Sequence, residues 1–173
     1  MKFFLATAVA ATAALSGVAA SEAAGENWVV IAAGSKTYGN YRHQADACHA
    51  YQVAKKGGVP ESNIILMMED DVANDQENPF PGKMFNKPTE EGTPGYDVYD
   101  GCNIDYRGSV VTAKLFLDVL QGKSTTGGKV LKSGPNDKVF INFVDHGGAF
   151  VCALVVACLD RQPVLIDFVA ATR

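Results

Sequence analysis

Apolar residues in this chain fall into two kinds of pattern. Residues 28–34 (Trp-Val-Val-Ile-Ala-Ala-Gly), 63–68 (Asn-Ile-Ile-Leu-Met-Met) and 138–144 (Lys-Val-Phe-Ile-Asn-Phe-Val) are short, nearly unbroken runs rich in β-branched and large side chains. Such runs are expected of parallel strands covered on both faces. Residues 42–56 and 109–121 instead space their apolar positions near the helical period. The first closes on Lys55-Lys56, which complements the helix dipole, before Gly57-Gly58; the second is followed by Gly122. The order strand, helix, strand, helix, strand predicts a three-layer α/β fold: a partial parallel sheet with helices on both faces, a right-handed crossover and the strand order second-first-third.

The connections differ in character. Residues 35–41 hold Gly, Ser, Thr and Asn and read as a loop at the carboxyl end of the first strand. Residues 73–105 are long and irregular, with Pro79, Pro81, Pro88 and Pro94; the small hairpin that such a loop can carry is expected around residues 96–99. Gly122-Lys123-Ser124 follows a helix and lacks the upstream glycine, so it is no phosphate-binding loop.

The third strand run stops at Asp145-His146-Gly147-Gly148. Carboxyl ends of strands in open α/β sheets are where ligands and catalytic groups gather, which makes His146 a candidate catalytic residue; the bland alternative is a histidine in an ordinary turn with glycines for positive φ.

Both ends of the chain stand apart. Residues 1–23 combine Lys2, an Ala-rich apolar stretch and small residues suited to cleavage, the pattern of a secretory signal peptide. The apolar stretch is shorter than the roughly 20 residues that cross a bilayer, so no stable membrane anchor is expected. Residues 149–173 form an almost wholly apolar tail broken at 160–163, which reads most simply as two strand-like runs.

Composition narrows the class. At 173 residues, 47% hydrophobic and 20% charged, the chain is expected to form one globular domain. A net charge of −4 without a basic cluster argues against nucleic acid as a partner. The four cysteines, Cys48, Cys102, Cys152 and Cys158, permit two disulfides in a secreted protein, with three possible pairings. Cys48 falls on the apolar side of a predicted helix, where a free thiol would act as a small hydrophobe. No C-x-x-C pattern is present, and His43, His49 and His146 show no ligand spacing. No metal or other cofactor is expected.

Gly34-Ser35 and Asn40-Tyr41-Arg42-His43-Gln44-Ala45-Asp46-Ala47-Cys48-His49-Ala50-Tyr51 closely resemble the asparaginyl endopeptidases called legumains. Val59-Pro60, Met67-Met68 with Asp70-Asp71, Asn78-Pro79 with Pro81-Gly82, Asp97-Val98-Tyr99, Asp105-Tyr106, Lys129 to Pro135 and Asp145-His146-Gly147 follow in the same order. The glycosylphosphatidylinositol transamidase catalytic subunit shares part of this pattern and is a second candidate. The resemblance implies a caspase-like fold and hydrolysis of peptide or protein substrates after asparagine. It also implies a secretory-pathway location, extracellular or in a lysosome- or vacuole-like compartment. On the same ground, His146 would be the catalytic histidine, Asn40 would orient it, Gly147 would offer a backbone N–H to the oxyanion, and Arg42 and His43 would line the pocket for the asparagine side chain. Each role fits thiol-protease chemistry, which needs an imidazole, a group fixing its ring and preorganised donors.

The family's nucleophile segment, similar to Glu-Ala-Cys-x-Ser-Gly, is missing. Cys158 lies only 12 residues after His146, whereas a parallel neighbouring strand requires a crossover of roughly a dozen or more residues besides the strand itself. Cys152 is closer still. The chain therefore reads as residues 24–148 of a legumain-like peptidase domain, cut before its catalytic cysteine, followed by a divergent tail. The expectation is an inactive member of the family, through a reading frame that departs after Gly148. The alternatives are a secreted non-catalytic pseudoenzyme or binding relic, or an enzyme that uses Cys158. The oligomeric state is not legible, and low solubility is expected from the open edge of the third strand.

Overall fold

The computed structural model describes residues 25–87, 95–123 and 127–146. The expected 1–23 signal peptide, Gly147, Cys152, Cys158 and the 149–173 tail lie outside the described residues. Four strands form one sheet: β1 (Asn27–Ala33), β2 (Ile64–Met68), β3 (Tyr106–Arg107) and β4 (Lys138–Val144), in the order β3-β2-β1-β4. Each pairing is parallel. The three long strands thus take the expected second-first-third order. β3 is an addition: its two residues pair with Met67 and Met68 on the far side of β2.

Alternation within the apolar runs decides which layer each side chain joins. Val29, Ile31, Ala33, Ile64, Leu66 and Met68 face α1 (Tyr41–Lys56) and pack with its Ala45, Cys48 and Tyr51. Trp28, Val30, Ala32, Ile65 and Met67 face the other way, onto Leu115, Phe116, Val119 and Leu120 of α2 (Ala113–Leu120). Because both faces are covered, β2 is buried at every position. Burying each such Leu or Ile is worth about 1.5–3 kcal/mol.

Three sequence expectations are corrected. The second helix begins at Ala113 rather than at residue 109, because Thr112 caps it by accepting Leu115 N–H at 3.1 Å and residues 108–110 form a separate 3-10 turn. The hairpin expected around 96–99 is a single antiparallel bridge, Phe85 with Asp97. There the Asp97 carboxylate accepts Met84 N–H and Tyr99 N–H, a side chain standing in for the ladder. Cys48 is no free thiol: it is bonded to Cys102, with Cα atoms 5.6 Å apart, because the irregular segment after β2 folds back across α1. Gln52 holds the same segment through Asp100 C=O at 2.7 Å.

Candidate functional site

β1 and β4 run in register from Asn27 with Lys138 to Ala33 with Val144, and Gly34 N–H extends the pairing to Val144 C=O at 2.9 Å. Two parallel strands that end together must release their loops side by side. The β1 loop continues through a 3-10 turn at Tyr38–Asn40 directly into α1, while β4 delivers Asp145 and His146. Asn40, Arg42, His43 and His146 are thereby gathered at one end of the sheet.

Asn40 and His146 meet across 106 positions of sequence, with His146 Nε2 2.7 Å from Asn40 Oδ1. The amide nitrogen of Asn40 donates to Lys36 C=O at 2.9 Å, so its oxygen faces the ring. An oxygen can only accept here, which places a proton on His146 Nε2 and leaves Nδ1 of the neutral ring as the base.

His43 is 1% exposed and stands edge-on to His146, with ring centroids 4.7 Å apart and planes at 84°. The Arg42 guanidinium donates to its Nε2 at 2.9 Å, which leaves the proton on Nδ1, 2.5 Å from Ser35 Oγ. Burial, then the Arg42 guanidinium and the repulsion a protonated His146 would exert, push the His43 pKa below its ordinary value, with Asp145 opposing. His43 is therefore a neutral wall of the site. Arg42 keeps its head exposed and lies 3.6 Å from Asp46, whose carboxyl is pushed upward by burial against the pull of Arg42.

Asp145 was legible only as part of a motif; the fold gives it a position. One oxygen accepts the His146 backbone N–H at 2.7 Å and lies 4.0 Å from His43 Nδ1. Ser35, Thr37 and Asp71 also belong to this end of the sheet. The sequence marked them only as a loop and as an acidic group after β2.

His43, Asp145 and His146 bring ligand-type atoms within 4.8 Å of one another, a proximity that linear spacing could not show. Their present chemistry fits a cation poorly. His43 carries its proton on the nitrogen nearest Asp145, its other nitrogen is engaged by a guanidinium, and the positive charge of Arg42 stands beside the group. A metal ligand must offer an unprotonated nitrogen.

The arrangement supplies an oriented imidazole with an unprotonated Nδ1, suited to proton transfer to and from a nucleophile. Of the chain's four cysteines, Cys48 and Cys102 are spent in the disulfide, so any thiol belongs to Cys152 or Cys158, outside the described residues. Gly147 lies there too, and its expected oxyanion role stays an expectation.

Residues 27–164 match the Peptidase C13 family, a span that runs past Gly148, where the motif resemblance ends. The legumain of Rattus norvegicus is 53% identical over 136 residues, covering 76% of this chain and 30% of the relative. The hemoglobinase of Schistosoma mansoni is 55% identical over 120 residues, covering 69% and 27%. The vacuolar-processing enzyme beta-isozyme of Arabidopsis thaliana is 51% identical over 134 residues, covering 75% and 26%. The chain thus spans less than a third of the length of these relatives. With a family match over most of its length, and with these identities, the chain belongs to the Peptidase C13 family.

Proposed function

We propose that these residues are the histidine half of a legumain-like cysteine endopeptidase that hydrolyses peptide bonds after asparagine. The observation that carries this reading is the His146 Nε2 to Asn40 Oδ1 contact of 2.7 Å, which puts the ring proton on Nε2 and leaves Nδ1 unprotonated. In the proposed reaction Nδ1 takes the proton of a thiol, the thiolate attacks the peptide carbonyl, and the imidazolium returns the proton to the departing amine. Gly147 N–H would receive the oxyanion. Arg42 and His43 form part of the wall that receives the asparagine side chain, Arg42 as a donor to the side-chain carbonyl and His43 as a neutral surface. Substrates are proteins or peptides. The 1–23 leader, together with relatives named as legumain and vacuolar-processing enzyme, supports a secretory route to a lysosome- or vacuole-like compartment or to the exterior. Among the described residues no helix is long and apolar enough to cross a membrane.

This polypeptide by itself is expected to be inactive, since the candidate thiols Cys152 and Cys158 lack the sequence that shapes the family's nucleophile turn. The second reading, a non-catalytic pseudoenzyme, shares that expectation. The test is cleavage of an asparaginyl peptide at acidic pH by the purified chain and by its His146→Ala and Cys158→Ala variants. No turnover from any of the three is the expected result. Asparagine-specific cleavage lost in Cys158→Ala would overturn the inactive reading. In any longer product carrying a thiol beside His146, cleavage that survives His146→Ala would overturn the catalytic assignment itself.

A further inference from the structure

Thr37 adopts φ 72° and ψ 156°, a region that is essentially reserved for glycine. A β-branched residue persists there only if its surroundings hold it. Its N–H donates to Asp71 Oδ2 at 2.7 Å, just beyond the carboxyl end of β2. The other Asp71 oxygen accepts from Gln44 Nε2 at 2.6 Å, and Gln44 is fully buried on α1. Asp71 is therefore anchored to the helix while it holds the loop.

The N–H of Thr37 and the C=O of Lys36 belong to one planar peptide group. That same Lys36 C=O accepts the Asn40 side-chain amide. One rigid plane thus links the Asp71 carboxylate to the atom that decides how the Asn40 amide is turned. Thr37 C=O also accepts Asn40 N–H at 2.9 Å, so the backbone of Asn40 is tied to the same residue.

If this peptide flipped, Thr37 would relax to negative φ and an N–H would face Asn40 in place of the carbonyl. Asn40 would then turn its oxygen to that N–H and its amide nitrogen to His146. A nitrogen donor beside Nε2 would move the ring proton to Nδ1, the atom that must be free to act as the base.

We propose that Asp71 is a positioning residue that holds the Lys36–Thr37 peptide in its strained orientation and, through Asn40, selects the Nε2–H tautomer of His146. The carboxylate opposes the strain at Thr37; without it the strain drives the flip. The proposal deepens the reading of His146 as a general base, but its measurement needs no turnover, so an inactive chain still decides it.

The experiment is nitrogen-15 NMR of the imidazoles in the full chain at about pH 9, well above the ordinary imidazole pKa of about 6.5, where the two ring nitrogens distinguish the tautomers. The parent chain should show His146 as the single Nε2–H form. Asp71→Ala should lose that single pattern in favour of a mixture or of Nδ1–H. Adding Thr37→Gly to Asp71→Ala should restore Nε2–H, because glycine holds the same backbone without strain. Asp71→Asn, nearly isosteric and gentler on the buried Gln44, should give an intermediate mixture and covers the case in which Asp71→Ala does not fold. A merely structural role for Asp71 would lower the melting temperature of these variants and leave the tautomer unchanged, and that result would overturn the proposal. A double variant no different from Asp71→Ala would overturn it equally, since strain at Thr37 would not then be what the carboxylate opposes.

Discussion

Gly34 and Asp145 approach closely: a β-carbon on Gly34 would lie 2.4 Å from Asp145 Oδ2 and 3.0 Å from Phe143 Cζ, so the ends of these two side chains would have to shift. The glycine that follows β1 leaves room for this approach. It lets the carboxylate that holds the His146 backbone N–H settle against the neighbouring strand. Gly34→Ala should therefore displace the Asp145 carboxylate, destabilise the chain by about 1 kcal/mol, the low end of overpacking because the clashing atoms are side-chain ends, and shift the His146 amide resonance. Thermal unfolding and an amide NMR spectrum check both; an unchanged His146 resonance would contradict the contact.

Asn40→Ala separates orientation from stability. The lost hydrogen bond joins two partly exposed groups, so its net contribution is about 1 kcal/mol or less. The ring should lose its fixed tautomer while the melting temperature barely moves. Comparison of calorimetry with imidazole NMR distinguishes this outcome from general loosening of the loop.

The Cys48–Cys102 disulfide joins residues 54 apart in sequence. Loop closure of that length is worth about 4 kcal/mol in the chain-entropy account, and measured values commonly lie at about 2–4 kcal/mol. Cys102→Ala should lower stability by an amount in that range and open the segment between β2 and β3 to proteolysis first. Denaturant titration gives the magnitude, and limited digestion followed by mass spectrometry locates the cut.

His43 sets a pH dependence. Its folded pKa lies below the ordinary 6.5, chiefly through burial. The folded chain therefore binds fewer protons than the unfolded one between the folded value and 6.5, and stability is lost as pH falls through that window. Asp46 acts in the opposite sense at lower pH, because burial raises its carboxyl. Between about pH 7.5 and 5.5 the melting temperature of the parent chain should fall more than that of His43→Gln, in which no group titrates at that position. Equal slopes would refute a buried neutral imidazole.

The sequence by itself determined the layers and the place of the site. Unbroken apolar runs at β1, β2 and β4 can be satisfied only by a sheet covered on both faces, and helical periodicity at α1 and α2 supplies the covers. The grouping of Asn40, Arg42 and His43 with His146 is implied by the resemblance of their motifs to the legumains, and parallel strands that end in register are the physical reason their following loops meet. Only the tertiary structure decided the rest. The pairing of Cys48 stays open among three possibilities, or as a buried free thiol, until the segment containing Cys102 is laid across α1. The short β3 carries too few residues to stand out from the irregular chain around it. The proton positions on His43 and His146 follow from Arg42, Ser35 and Asn40 at distances of 2.5–2.9 Å, and the strain at Thr37 follows from a carboxylate 34 residues away. Periodicity reports which face of an element is buried. It carries no record of how a loop turns or which partner meets it, because those depend on contacts between residues that the chain pattern leaves far apart.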